Sequence, residues 1–178
     1  MIALRSFLLA IAALPTVAAA QSASTEPSLS DMLKPGTPDA LAAAFDEVCF
    51  ANRSDIGLQQ AAANGSARGF RPLGKPTPKK ASFMAFPIMA SMEQLGKSVF
   101  GCSTTSGVAD DLTLSMLVEA IKTSSSSLKD VPFRIEKDSA SASIVEGNRR
   151  FEVQVQLSEG QISPIATLAV MSLSVPSR

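Results

Sequence analysis

The chain has 178 residues, sixteen Lys and Arg against sixteen Asp and Glu, and no histidine, tryptophan or tyrosine. Without histidine there is no Ser–His–Asp triad, no HExxH helix and none of the common histidine zinc sites. Charge balance argues against wholesale nucleic-acid binding, and the missing Trp and Tyr remove the commonest interface anchors and sugar-stacking platforms.

Residues 1–20 read as a secretion signal. Arg5 supplies the positive start, and Phe7, Leu8, Leu9, Ile11 and Leu14 lie in an apolar run. Ala18-Ala19-Ala20 places small residues before a cleavage site, so a Sec-type signal is expected to end at Ala20. The run is short for a bilayer span, and no cysteine follows to carry a lipid anchor. A periplasmic or secreted product is expected, with no transmembrane segment after cleavage. Loss of Arg5 leaves fifteen cations against sixteen acids, a formal charge of −1. The remaining length, about 158 residues, suits one domain with a proper core.

Residues 21–36 are rich in Ser, Thr and Pro and read as a flexible tether. A single domain is expected over 37–178. Thr37-Pro38-Asp39 is a helix start, with a cap, a proline at the first helical position and an acid at the positive end of the dipole. Leu41, Phe45, Val48 and Cys49 then recur at helical spacing and define one buried stripe. A helix is expected near 38–52. Ser54-Asp55 caps a second, shorter helix that should stop at Asn64-Gly65.

Arg68 to Lys80 reads as a Pro-rich loop with Arg68, Arg71, Lys75, Lys79 and Lys80 and no acid. The bland reading is a solvated connection. The sharper reading is a contact for an anionic polymer or lipid headgroup, with an envelope protein or an anionic envelope component as the expected partner. The apolar segment 81–92 follows directly. Pro87 is expected to keep it off a central strand and to interrupt any helix. Met84, Met89 and Met92 are candidate thioether ligands for Cu(I). The competing reading, a core or edge segment filled by adaptable methionines, is preferred because no histidine supports a copper site. No metal or cofactor is assigned.

Residues 98–104 read as a strand on which Phe100, Cys102 and Thr104 share a face. Asp110 or Asp111 should cap a third helix near 109–123, with Leu114, Leu117, Val118 and Ile121 as its buried stripe. The remainder reads as antiparallel sheet: Phe133 and Ile135 alternate, Glu146-Gly147-Asn148 is a hairpin turn, and Phe151, Val153, Val155 and Leu157 alternate with Glu152, Gln154 and Gln156. Ile165 to Val175 reads as a last strand, flanked on both sides.

Cys49 and Cys102 are the only cysteines. In an oxidising compartment two lone cysteines pair, so one helix-to-strand disulfide is expected. The fold class is α+β: an antiparallel sheet built mainly from 98–175, with two or three helices packed on one face. Cysteine catalysis has no supporting histidine or second motif cysteine. Ser126 and Lys129 fit Ser-x-x-Lys, but the Ser-Asp-Asn and Lys-Thr-Gly elements that accompany that motif in β-lactam-binding enzymes are missing.

The run Phe45-x-x-x-Cys49 in a first helix, a short second helix before Gly69-Phe70, and Cys102 in a strand resemble a set of small, uncharacterised exported proteins from proteobacteria. The resemblance covers residues 40–104. It implies an exported address and an α+β fold, and it implies no activity. The functional expectation is therefore a non-catalytic exported binding or envelope-associated module. The alternative is a Ser/Lys-dependent hydrolase or transferase of the envelope.

Overall fold

Thr37 caps the first helix as its sequence demands. Its Oγ1 accepts the Ala40 N–H at 3.2 Å, and Pro38 stands in the first turn of α1 (Pro38–Ala44). The computed structural model describes residues 34–97 and 99–174. The expected signal, residues 1–20, and tether residues 21–33 lie outside the described residues. The last tether residue is pinned: Gly36 N–H donates to Gly107 O at 2.7 Å.

The helix does not continue as α. Over Phe45–Phe50 it widens into a π-helical turn, and Ala51 N–H donates to Asp46 O, five residues back, at 2.9 Å. The wider turn puts one more residue on the inner face. Leu41, Phe45, Val48 and Cys49 are buried as the spacing predicts, and Phe50 joins them. The Phe45 and Phe50 rings lie 5.9 Å apart, centroid to centroid. Helix α2 (Ile56–Gly65) starts at Asp55, whose carboxylate accepts the N–H of Gly57 and Leu58. It is not stopped by a left-handed glycine, because Gly65 lies within the helix and Ser66 leaves it in extended backbone. Helix α3 (Leu114–Ser124) is capped by Thr113, which accepts the Met116 N–H at 3.3 Å. Neither Asp110 nor Asp111 is the cap. Leu112, buried between them and Thr113, fixes the entry of the chain one turn later.

Eight strands form one antiparallel sheet: β1 (Arg71–Pro72), β2 (Lys80–Ala85), β3 (Ile88–Gln94), β4 (Phe100–Gly107), β5 (Arg134–Ile135), β6 (Ser139–Glu146), β7 (Arg149–Ser158) and β8 (Ile165–Ser174). Their order is β1-β2-β3-β4-β8-β7-β6-β5. Two meanders, each preceded by helix, therefore run from opposite edges and meet at the β4–β8 pair. Ser103 opposite Ala169 marks the register there. Gly147, at φ +59°, opens the two-residue β6–β7 turn that the sequence indicates.

The α+β class holds, with helices on one face of the sheet. The sheet is larger than the sequence suggests, because β1, β2 and β3 lie before residue 98. Pro87 does not keep its segment off the interior. It sits in the turn between β2 and β3, and both of those strands have neighbours on each side. Apart from the two-residue edge strands β1 and β5, both exposed, the strands donate alternate residues to the core: Phe83, Ala90, Met92, Cys102, Leu168, Val170, Val153, Phe151 and Ala140 are all buried on the helix side. The other face carries Ser82, Ser91, Ser103, Thr105, Thr167 and Gln154, and no described element covers it.

Cys49 and Cys102 form the expected disulfide, with Cα atoms 5.4 Å apart. It joins the π-helical turn to central strand β4. Closing a 53-residue separation contributes about 4 kcal/mol in the chain-entropy model.

Candidate binding site at the Phe86 end of the sheet

The three methionines do not converge. Met84 and Met89 are cross-strand partners on the open face, while Met92 pairs with Cys102 and is buried on the helix side. A three-residue offset along a strand puts Met89 and Met92 on opposite faces. One copper site cannot use all three.

Ser126 and Lys129 line a polar cleft of about 840 Å³ between the π-helical turn and the end of α3, together with Arg53, Lys122, Glu119 and Asp130. Both Ser126 and Lys129 are exposed. Among the described residues no hydrogen bond links them. A lysine base needs a desolvating pocket or an adjacent cation, and here its sequence neighbour is Asp130.

The five cations of the 68–80 segment separate into two groups. Arg68 Nε donates to Glu47 Oε2 at 2.8 Å, and Ser66 Oγ donates to Glu47 Oε1 at 2.8 Å, so the exit from α2 is tied to the π-helical turn. Gly69, at φ +77°, turns the chain, Phe70 is buried, and Arg71 enters β1 opposite Met84. The chain then runs the length of β2 in the reverse sense. Lys75, Lys79 and Lys80 end up at the far end of that strand. There Gln94 N–H donates to Lys79 O at 2.7 Å, and Lys80 lies 3.9 Å from Glu93. A six-residue strand spans roughly 17 Å, so the lysines cannot share a contact with Arg68 and Arg71. The segment is also less of a free loop than its composition suggests, since Gln60 Nε2 donates to Thr77 O at 2.6 Å.

Arg68 and Arg71 instead meet apolar side chains. With Leu73, Met84 and Phe86 they line a cleft of about 410 Å³. Phe86, 45% exposed at the tip of the β2–β3 hairpin, also walls a second cleft of about 580 Å³, with Lys34, Val108, Asp110 and Ile162. Ile162 is 91% exposed at the tip of the β7–β8 hairpin. Phe83 and Ile88, beside Phe86 in sequence, are core residues. The arrangement can hold an apolar group against Phe86 and Met84 while Arg71, which makes no ion pair among the described residues, meets a negative charge.

Sequence reasoning singled out Arg68 and Arg71 but missed Lys34 and Ile162. The available signal for Ile162 was a large apolar residue isolated among Gly160, Gln161 and Ser163 in a turn. Comparison of the chain with protein-family models, with curated proteins and with solved structures returned no match in any of the three.

Proposed function

We propose that the chain is a non-catalytic exported module that binds an anionic amphiphile of the cell envelope at the Phe86 end of its sheet. The observation that carries this reading is the double role of Phe86. An aromatic ring nearly half exposed walls two adjoining clefts, and Arg68 and Arg71 flank it. Clefts of a few hundred Å³, largely apolar with a few placed polar groups, are the usual form of a ligand site. Export is supported by the charge, apolar run and small residues of the first twenty positions. It is supported also by the disulfide, a bond at home in an oxidising compartment.

The test is calorimetric titration of the mature protein with lysophosphatidylglycerol below its critical micelle concentration. Affinity should fall as salt rises and the Debye length shrinks from about 10 Å at 0.1 M toward about 3 Å at 1 M. Replacing Arg68 and Arg71 by Ser should weaken binding. Replacing Lys75, Lys79 and Lys80 by Ser should not. Binding indifferent to both the salt and the double arginine replacement would rule the site out.

A further inference from the structure

The β2–β3 turn and the β7–β8 loop project from the same end of the sheet. The register requires it: Met89 lies opposite Thr105, Gly107 opposite Ile165, and Ser158 opposite Ile165 on the other side. Each tip carries one large apolar side chain in water, Phe86 and Ile162, and both line the same cleft. Isolated exposed apolar residues need no explanation. Two at neighbouring hairpin tips that wall one cleft have the make-up of an interfacial anchor, in which apolar side chains and cations lie side by side.

The charges around the tips are not symmetric. Arg68 and Arg71 line the cleft that Phe86 walls on the side away from Ile162, with Arg68 held by Glu47. Asp110 lines the cleft that Phe86 and Ile162 share, and Glu159 lies exposed in the same loop as Ile162. An anionic surface would therefore meet the Phe86 flank first. The opposite end of the sheet also carries cations, Lys75, Lys79 and Lys80, but Leu95, 57% exposed there, shares its cleft with two carboxylates, Glu93 and Glu152.

We infer that this end of the molecule docks on an anionic lipid bilayer, with Phe86 and Ile162 entering the headgroup–acyl boundary and Arg71 against the lipid phosphates. The inference rests on the ligand reading above and narrows it to the bilayer surface as the source. Arg71 steers through the surface potential, and the two apolar tips supply the retention.

The chain offers a clean probe, because it contains no Trp or Tyr. Phe86→Trp, Ile162→Trp and Leu95→Trp, each made separately in the mature protein, give a single indole against a silent background. On adding phosphatidylglycerol-containing vesicles, the first two should shift to the blue and be quenched by brominated acyl chains, while the Leu95→Trp indole should do neither. Phe86→Ala and Ile162→Ala should each lower vesicle partitioning roughly tenfold, the factor that corresponds to transfer of one such side chain. Arg71→Ser should lower it about fivefold at low salt. The inference is overturned if either tip indole stays in water, or if Leu95→Trp responds equally. If monomeric lysophosphatidylglycerol still binds with the expected arginine dependence while vesicles do not, the bilayer inference falls and the ligand reading stands. If neither binds, both fall.

Discussion

Arg53 and Glu146 are ion-paired across 93 residues of chain, and the pair closes the loop after the π-helical turn onto the β6–β7 hairpin. The guanidinium carbon lies 4.4 Å from the centre of the Phe50 ring and 5.1 Å from that of Phe151. Nη1 donates to Phe50 O at 2.8 Å. Arg149 adds a second tie through Ser54 O at 2.6 Å. The planar, weakly hydrated guanidinium can stack on two rings and still donate at its edge, which an ammonium cannot.

Removing that stack should be costly. Arg53→Ala is expected to lower stability by about 2 kcal/mol, through lost cation–π contact with two rings and loss of the side-chain hydrogen bond to Phe50 O, which keeps only the backbone N–H of residue 53. Arg53→Lys should recover less than half of it. Glu146→Ala should cost under about 1 kcal/mol, because that carboxylate is 42% exposed. Urea midpoints of the three variants decide the matter. An Arg53→Ala protein as stable as wild type would reduce the stack to surface decoration.

The disulfide makes a separate prediction. Native protein should show no reactive thiol, because Cys49 and Cys102 are both bonded and buried. Two thiols should become available only after denaturation and reduction, as read by intact mass. Cys49→Ala with Cys102→Ala is expected to cost on the order of 2–5 kcal/mol. A thiol labelled rapidly in the folded protein would contradict the pairing.

Helix α3 tests which residue begins it. Thr113→Ala should destabilise by about 1 kcal/mol, the usual value of a lost N-cap. Asp110→Ala and Asp111→Ala should each stay within about 0.5 kcal/mol of wild type. The reverse order, with an aspartate costing more than Thr113, would move the helix start back to where the sequence alone puts it.

Ser126 and Lys129 should behave as ordinary surface residues. The mature protein should take up no fluorophosphonate and form no acyl adduct with a β-lactam. Ser126→Ala should leave stability within about 0.5 kcal/mol of wild type. Covalent labelling that disappears in Ser126→Ala would restore the envelope hydrolase or transferase as the function.

Residue types and their spacing determined a good part of this protein directly. Thr37 and Asp55 are caps because a short side-chain oxygen there satisfies otherwise free N–H groups. Phe151, Val153 and Val155 face the core and Gln154 and Gln156 face water because a strand turns alternate residues to opposite sides. The two cysteines, one on a buried helical stripe and one on a core-facing strand position, could pair only between helix and sheet. Tertiary structure decided the rest. β2 and β3 carry Ala, Ser and Met, and β6 alternates Ser with Ala; their weak hydrophobic contrast hides the period of two, and only pairing with their neighbours makes them strands. Phe50 is buried because one turn widens to five residues, a choice made by packing over the sheet and invisible to a helical period of 3.6. Five cations adjacent in sequence looked like one patch. The length of β2 sends the lysines to one end of the sheet and leaves Arg68 and Arg71 at the other, beside Phe86, whose second cleft reaches Ile162 only because the two meanders meet.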